Sequence, residues 1–139
     1  MQIDVTTDFG KRVERRLREE TIVWLTTVRR DGTPQPTPVW FLWDGETILM
    51  YSQPNQQKER NIARSPKVSL NFDGNGRGGD IIVLTGEARI VPDAPLATDV
   101  PEYVAKYAEG IKGIGMTPES MAQAFSVAIR ITPTDVHGH

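Results

Sequence analysis

Apolar residues recur at every fourth position near the start of the chain. Phe9, Val13 and Leu17 form one stripe, which predicts an amphipathic helix from about Asp8 to Glu20. The period then shortens. Thr21–Val28 (TIVWLTTV) is rich in β-branched and aromatic residues and apolar on both alternating faces, the pattern of a strand buried on two sides. Asp31-Gly32 predicts a tight hairpin turn, a second strand follows over Pro34–Trp43, and Asp44-Gly45 predicts another turn into Thr47–Ser52. Two successive hairpins of this kind predict an antiparallel meander.

Polarity rises after Ser52. The helix formers of PNQQKERNIARS predict a short helix from about Gln56 to Ala63, begun near Ser52 or Asn55 and ended before Ser65-Pro66. From Lys67, KVSLNF alternates with Val68, Leu70 and Phe72 on one face. Beyond the glycine-rich loop Asp73–Asp80, Ile82, Leu84, Gly86, Ala88 and Ile90 share a face of a long strand. Glycine and alanine on that face suit the crowded interior of a small barrel. Residues 92–101 read as a linker. Val100, Tyr103, Val104 and Tyr107 predict a helix with Gly110 as its C-cap and IKGIGM as the loop beyond it. Thr117-Pro118 predicts the start of another short helix, and Ser126–Thr132 a last strand before Pro133. These elements predict an α+β, mainly β fold: a six-stranded antiparallel split β-barrel with peripheral helices, in a single domain over residues 1–139.

Composition narrows the chemistry more than it changes this outline. With 38% hydrophobic and 24% charged residues, the 139-residue chain has an ordinary globular balance. A net charge of -2 provides no general field for nucleic acid. No apolar run approaches the roughly 18 residues of a membrane span, and the charged first residues lack a secretion signal, so a cytoplasmic protein is expected. The absence of cysteine excludes disulfides, thiolate metal sites and cysteine nucleophiles. His137 and His139, the only histidines, stand in the terminal HGH, which reads as a frayed tail; no metal site and no catalytic triad are expected. No catalytic residue stands out. An enzyme built this way would rely on a cofactor.

Three features mark where a ligand could lie. Pro34, Pro36 and Pro38 remove backbone donors along one side of a strand, which fits either a protected sheet edge or a ligand floor. The helix after Ser52 offers the free N–H groups of its N-terminus and carries Lys58, Arg60 and Arg64, with Ser52, Gln56 and Gln57 as neutral hydrogen-bonding groups; it fits either a phosphate cradle or an ordinary surface helix. The first helix carries Lys11, Arg12, Arg15, Arg16 and Arg18, a solvated face or a basic surface for an anionic ligand.

The order WLTTVRRDGTPQPTPVWF, ILMYSQPNQQKERNIARSPKVSLNF, VLTGEARIV resembles the pyridoxamine 5'-phosphate oxidase-like flavin-binding split barrels over roughly Thr21–Val91. Within that superfamily, G-x-P-x-x-x-P-V-W-F followed by K-x-R-N-I is most similar to the actinobacterial group that uses the deazaflavin coenzyme F420. The resemblance implies a homodimer with cofactor sites between subunits. It places the cofactor phosphate near Ser52, Gln56, Gln57, Lys58 and Arg60, with Asn61 shaping the turn, and the tricyclic ring along Thr37, Pro38, Val39 and Trp40. Gln56-Gln57 departs from the family, in which basic residues are frequent there. The implied activity is F420-dependent hydride transfer to a small organic acceptor. The basic first helix would then receive the cofactor's polyglutamate tail. An FMN-dependent pyridoxamine 5'-phosphate oxidase-like flavoprotein and a non-catalytic protein that binds or carries a flavin or deazaflavin are the alternatives.

Overall fold

The computed structural model describes all of residues Met1–His139. In chain order the elements are α1 (Asp8–Glu19), β1 (Val23–Val28), β2 (Pro34–Val39), β3 (Leu42–Trp43), β4 (Ile48–Ser52), α2 (Gln57–Arg64), β5 (Lys67–Asn71) and β6 (Ile82–Ile90). A 3-10 turn (Ala97–Asp99), α3 (Pro101–Gly113), α4 (Pro118–Ala124) and β7 (Val127–Gly138) complete the chain. No helix is long and apolar enough to cross a membrane.

The strands form one antiparallel sheet in the order β2-β1-β5-β6-β7-β4-β3. Its two outermost strands, β2 and β3, are separated in the chain by Trp40 and Phe41 alone. Three Cα–Cα steps span at most about 11 Å, whereas a flat sheet of this many strands is on the order of 29 Å wide. The sheet must therefore roll up, and the crossover at residues 40 and 41 closes it into a barrel. The expectation of an α+β split barrel with peripheral helices holds, with seven strands in place of six.

The added strand comes from a break in the predicted Pro34–Trp43 strand. Its first half pairs with β1 and its second with β4, at opposite edges of the sheet, so the expected meander is two separate hairpins. β2 has a neighbour on one side only. Its three prolines stand at alternate positions, opposite Val28, Thr26 and Trp24. Their missing donors thus fall along the open edge and cost the ladder nothing.

The barrel interior is filled by Val23, Leu25, Leu70, Ile82, Leu84, Ile129 and Ile131, with Val13 and Leu17 of α1 and Ile62 of α2 packed against them. A second cluster lies outside the wall, where Leu49, Tyr51 and Ala128 meet Tyr103, Tyr107 and Ile111 of α3 and Met121 of α4. β4, buried along its whole length, is the wall between the two. The sequence pattern assigns that role to Thr21–Val28, but β1 alternates buried and half-buried positions because no helix covers its outer face.

Three further boundaries differ from expectation. Gly110 lies inside α3, which runs on to Gly113, so it is not the C-cap. The final strand passes through Pro133 to Gly138, and its register against β6 shifts at Thr85/Gly86. There Gly86 faces backbone directly: a Cβ would stand 2.7 Å from Thr132 O. The terminal histidines are not frayed, since His137 pairs with Val83 and the backbone of His139 exchanges two hydrogen bonds with Ile81.

Candidate functional site

The crossover that closes the barrel also builds a pocket. Phe41, wholly buried, is fixed from α3: its N–H donates to the Tyr107 hydroxyl at 2.7 Å, and its carbonyl accepts from Lys106 Nζ at 2.9 Å. The Tyr107 hydroxyl in turn donates within 2.7 Å of Thr21 O. Burial pushes the Tyr107 phenol well above the usual tyrosine range, which keeps it a donor. Trp40, the preceding residue, lies flat on the Tyr107 ring, with centroids 4.5 Å apart and planes 5° from parallel. Gly110 makes room for this stack, because a Cβ there would come within 3.2 Å of the indole.

Beside the stack is a cavity of about 280 Å³. Its walls are Pro38, Val39 and Trp40 from the barrel edge, Tyr51 from β4, Lys58 from α2, and Tyr103, Ile114, Met121 and Phe125 from the α3–α4 region. The lining is apolar apart from one cation and two phenols. Tyr51 donates to Pro95 O at 2.9 Å, and burial raises its pKa. Lys58 sits in the first turn of α2, where the helix dipole opposes a positive charge. Partial burial lowers its pKa, while neighbouring Glu59 favours the charged form. It forms no ion pair: the Glu59 carboxylate is turned away, accepting from the Ser52 hydroxyl and the Gln56 N–H, both at 3.0 Å. The resulting pocket is greasy and flat-walled, with a half-buried cation at its edge that lacks an anion.

Of the expected cofactor residues, Pro38, Val39, Trp40 and Lys58 thus come together around one cavity. Thr37 precedes them on β2, outside the lining. Ser52, Gln56, Gln57, Arg60 and Asn61 also lie outside it, joined to one another and to the barrel by internal hydrogen bonds. Ser52 and Gln56 share Glu59, an acidic group that the basic pattern of this segment conceals. Gln57 donates to Asn61 at 2.9 Å, and Arg60 donates to Asn55 O and Gln57 Oε1. Asn61, with no exposed surface, does not shape a turn: it donates to Thr27 Oγ1 at 2.9 Å and Gln35 Oε1 at 3.0 Å, fastening α2 to β1 and β2. Tyr51, Tyr103, Ile114, Met121 and Phe125 are the lining residues absent from the expected set. The helical apolar spacing of the last four signals only a packed face.

The basic face of α1 is largely spent within the fold. Arg16, only 8% exposed, binds Asp80 and Glu20 at 2.7 Å each and donates to Asp73 O. Arg12 also binds Asp80, and Arg18 binds Glu14. Only Lys11 and Arg15 are exposed without an ion pair, which leaves little of a basic surface for an anionic tail.

Comparison with known proteins places this geometry. The family model described as pyridoxamine 5'-phosphate oxidase matches residues 9–139. A search of curated protein sequences returns no match. Among solved structures the chain is similar to an F420 reductase, with 28% identity, a TM-score of 0.69 and coverage of 89% of this chain and 94% of that one. It also shares its fold with HutZ, the heme storage protein from Vibrio cholerae (14% identity, TM-score 0.64, coverage 99% and 95%). A FAD-binding protein from Mesorhizobium loti is a further match (18% identity, TM-score 0.65, coverage 91% and 89%).

Proposed function

The chain belongs to the pyridoxamine 5'-phosphate oxidase family, and from that premise we propose that it is a homodimeric oxidoreductase using the deazaflavin coenzyme F420. The observation that carries this reading is the cavity joining Pro38, Val39 and Trp40 to the unpaired cation Lys58. A flat apolar slot suits a tricyclic ring, and a half-buried ammonium without a carboxylate suits a phosphate. The F420 reductase, at 28% identity over nearly the whole chain, supports the deazaflavin over other ring systems.

When bound, reduced F420 supplies a hydride for a small organic acceptor. The residues of this chain bind, orient and exclude water. Pro38, Val39 and Trp40 present the ring with a wall whose position is fixed from α3. Lys58 neutralises the phosphate and regains the partner that burial denies it. Met121 and Phe125, apolar residues of the lining, would keep solvent from a ring held there.

The test is a fluorescence titration of the purified cofactor-free protein with F420 and, separately, FMN. Preferred binding of F420, weakened at least tenfold in Lys58→Met, is the expected result. Preference for FMN moves the protein to the flavin-using branch of the family, and binding of neither overturns the reading.

A further inference from the structure

The chain has three tyrosines, and all three belong to the cluster beside the pocket. Two of them satisfy their hydroxyls on backbone: Tyr51 on Pro95 O, Tyr107 on Thr21 O and Phe41. Tyr103 does not. No side-chain or backbone group lies within hydrogen-bond reach of its hydroxyl, although the residue is only 2% exposed. No fully enclosed polar atom in the protein lacks a partner, so this hydroxyl keeps a sliver of exposed surface. Tyr103 also lines the cavity. The one phenol without a hydrogen bond in the protein thus belongs to a residue of the pocket wall.

Its ring is held from two sides. Tyr51 meets it edge-on at 5.0 Å and 84°, and Tyr107 packs at 5.0 Å and 43°. A ring fixed in this way cannot swing its hydroxyl to another partner. Burial and the two neighbouring phenols push the Tyr103 pKa far above the ordinary tyrosine value, so the group is a neutral donor at every physiological pH. Phenylalanine would fill the same space and leave every hydrogen bond within the protein intact. The hydroxyl thus adds nothing to the hydrogen bonds of the fold itself and is free to serve an occupant of the pocket.

We propose that Tyr103 is a specificity-determining residue whose phenol donates a hydrogen bond to a carbonyl-type oxygen or ring nitrogen of the molecule filling the pocket. This rests on the cofactor reading above and deepens it: the slot selects planar heterocycles with a lone pair at that place over hydrocarbons of the same shape.

The experiment compares wild type with Tyr103→Phe in two measurements, using F420 and FMN as probes. Fluorescence titration is expected to show about tenfold weaker binding of the preferred probe by the variant. Thermal unfolding without ligand is expected to show a midpoint equal to or above that of wild type. Tyr107→Phe serves as the structural contrast; it lowers the ligand-free midpoint because it strips partners from Phe41 and Thr21. Equal affinity in wild type and Tyr103→Phe overturns the proposal while leaving the cofactor reading intact. A fall in the ligand-free midpoint as large as that of Tyr107→Phe also overturns it, since the hydroxyl would then serve the fold. Binding of neither probe by wild type overturns both.

Discussion

Lys106 shows how one side chain can serve the fold and still strain against it. Its ammonium lies 3.8 Å over the Phe41 ring and donates to Phe41 O, which ties α3 to the barrel crossover. Burial pushes its pKa down to about 8, against a smaller upward pull from Glu20. The unfolded chain holds this proton up to the ordinary lysine range, near 10.4. Between these values the unfolded state binds more protons than the folded state, so stability rises as pH rises from about 8 toward about 10. Below that window both states are protonated and the penalty is constant. Above it, the buried tyrosines, whose folded pKa values are raised, act in the opposite direction. Urea unfolding of wild type is therefore expected to show a higher midpoint near pH 9.5 than near pH 7, and Lys106→Met should flatten that difference. An unchanged slope in the variant would assign the titration elsewhere. Neither the role of Lys106 nor that of Asn61 was legible in the sequence. Each is defined by partners far along the chain: Lys106 by Phe41, and Asn61 by Thr27 and Gln35. Local pattern shows a lysine on a helix and an asparagine among helix formers, and nothing more.

At the level of elements, local signals worked where local energetics decide. The Asp-Gly turns, the Thr117-Pro118 cap and the alternation of β5 and β6 all stand where the pattern puts them. The failures share one cause, tertiary contact overriding local preference. VWFLW contains no turn residue, yet the strand breaks at Trp40 and Phe41, where Tyr107 and Lys106 claim the backbone of Phe41. Gly110 has the residue type of a C-cap, yet the helix runs through it because Trp40 needs the space. Gly110→Ala sets two effects against each other. Alanine is favoured over glycine in a helix interior by about 1 kcal/mol, but its Cβ presses the indole from 3.2 Å. Trp40 borders the open cavity and can yield by a few tenths of an ångström in that direction. The ligand-free protein should therefore unfold within about 1 kcal/mol of wild type, while affinity for the cofactor falls several-fold. A large loss of stability with unchanged affinity would show that the indole cannot move.

The whole molecule carries the site at its one open seam. β2 is both the unpaired edge of the sheet and a wall of the pocket, and its prolines leave that edge without donors for another strand. A second copy could therefore cover the seam with side chains without extending the sheet. The size of the pocket points the same way. At about 280 Å³ it falls just short of the usual range of ligand pockets, which starts at roughly 300 Å³. A tricyclic ring with a phosphate-bearing tail needs more enclosure than one copy provides. If the partner completes the site, cofactor binding and dimerisation are linked, and each must strengthen the other by the same factor. Sedimentation of the dilute protein should show the monomer–dimer equilibrium shifting toward dimer as F420 is added. The thermal midpoint should likewise rise with protein concentration as well as with ligand, which stabilises the fold by about 2.7 kcal/mol at a hundredfold excess over the dissociation constant. A monomer that binds F420 tightly and stays monomeric would confine the whole site to one chain. Lys58 and Tyr103 would then be the polar side chains of the lining that have no partner within the fold, and the loss on removing either should be correspondingly larger than tenfold.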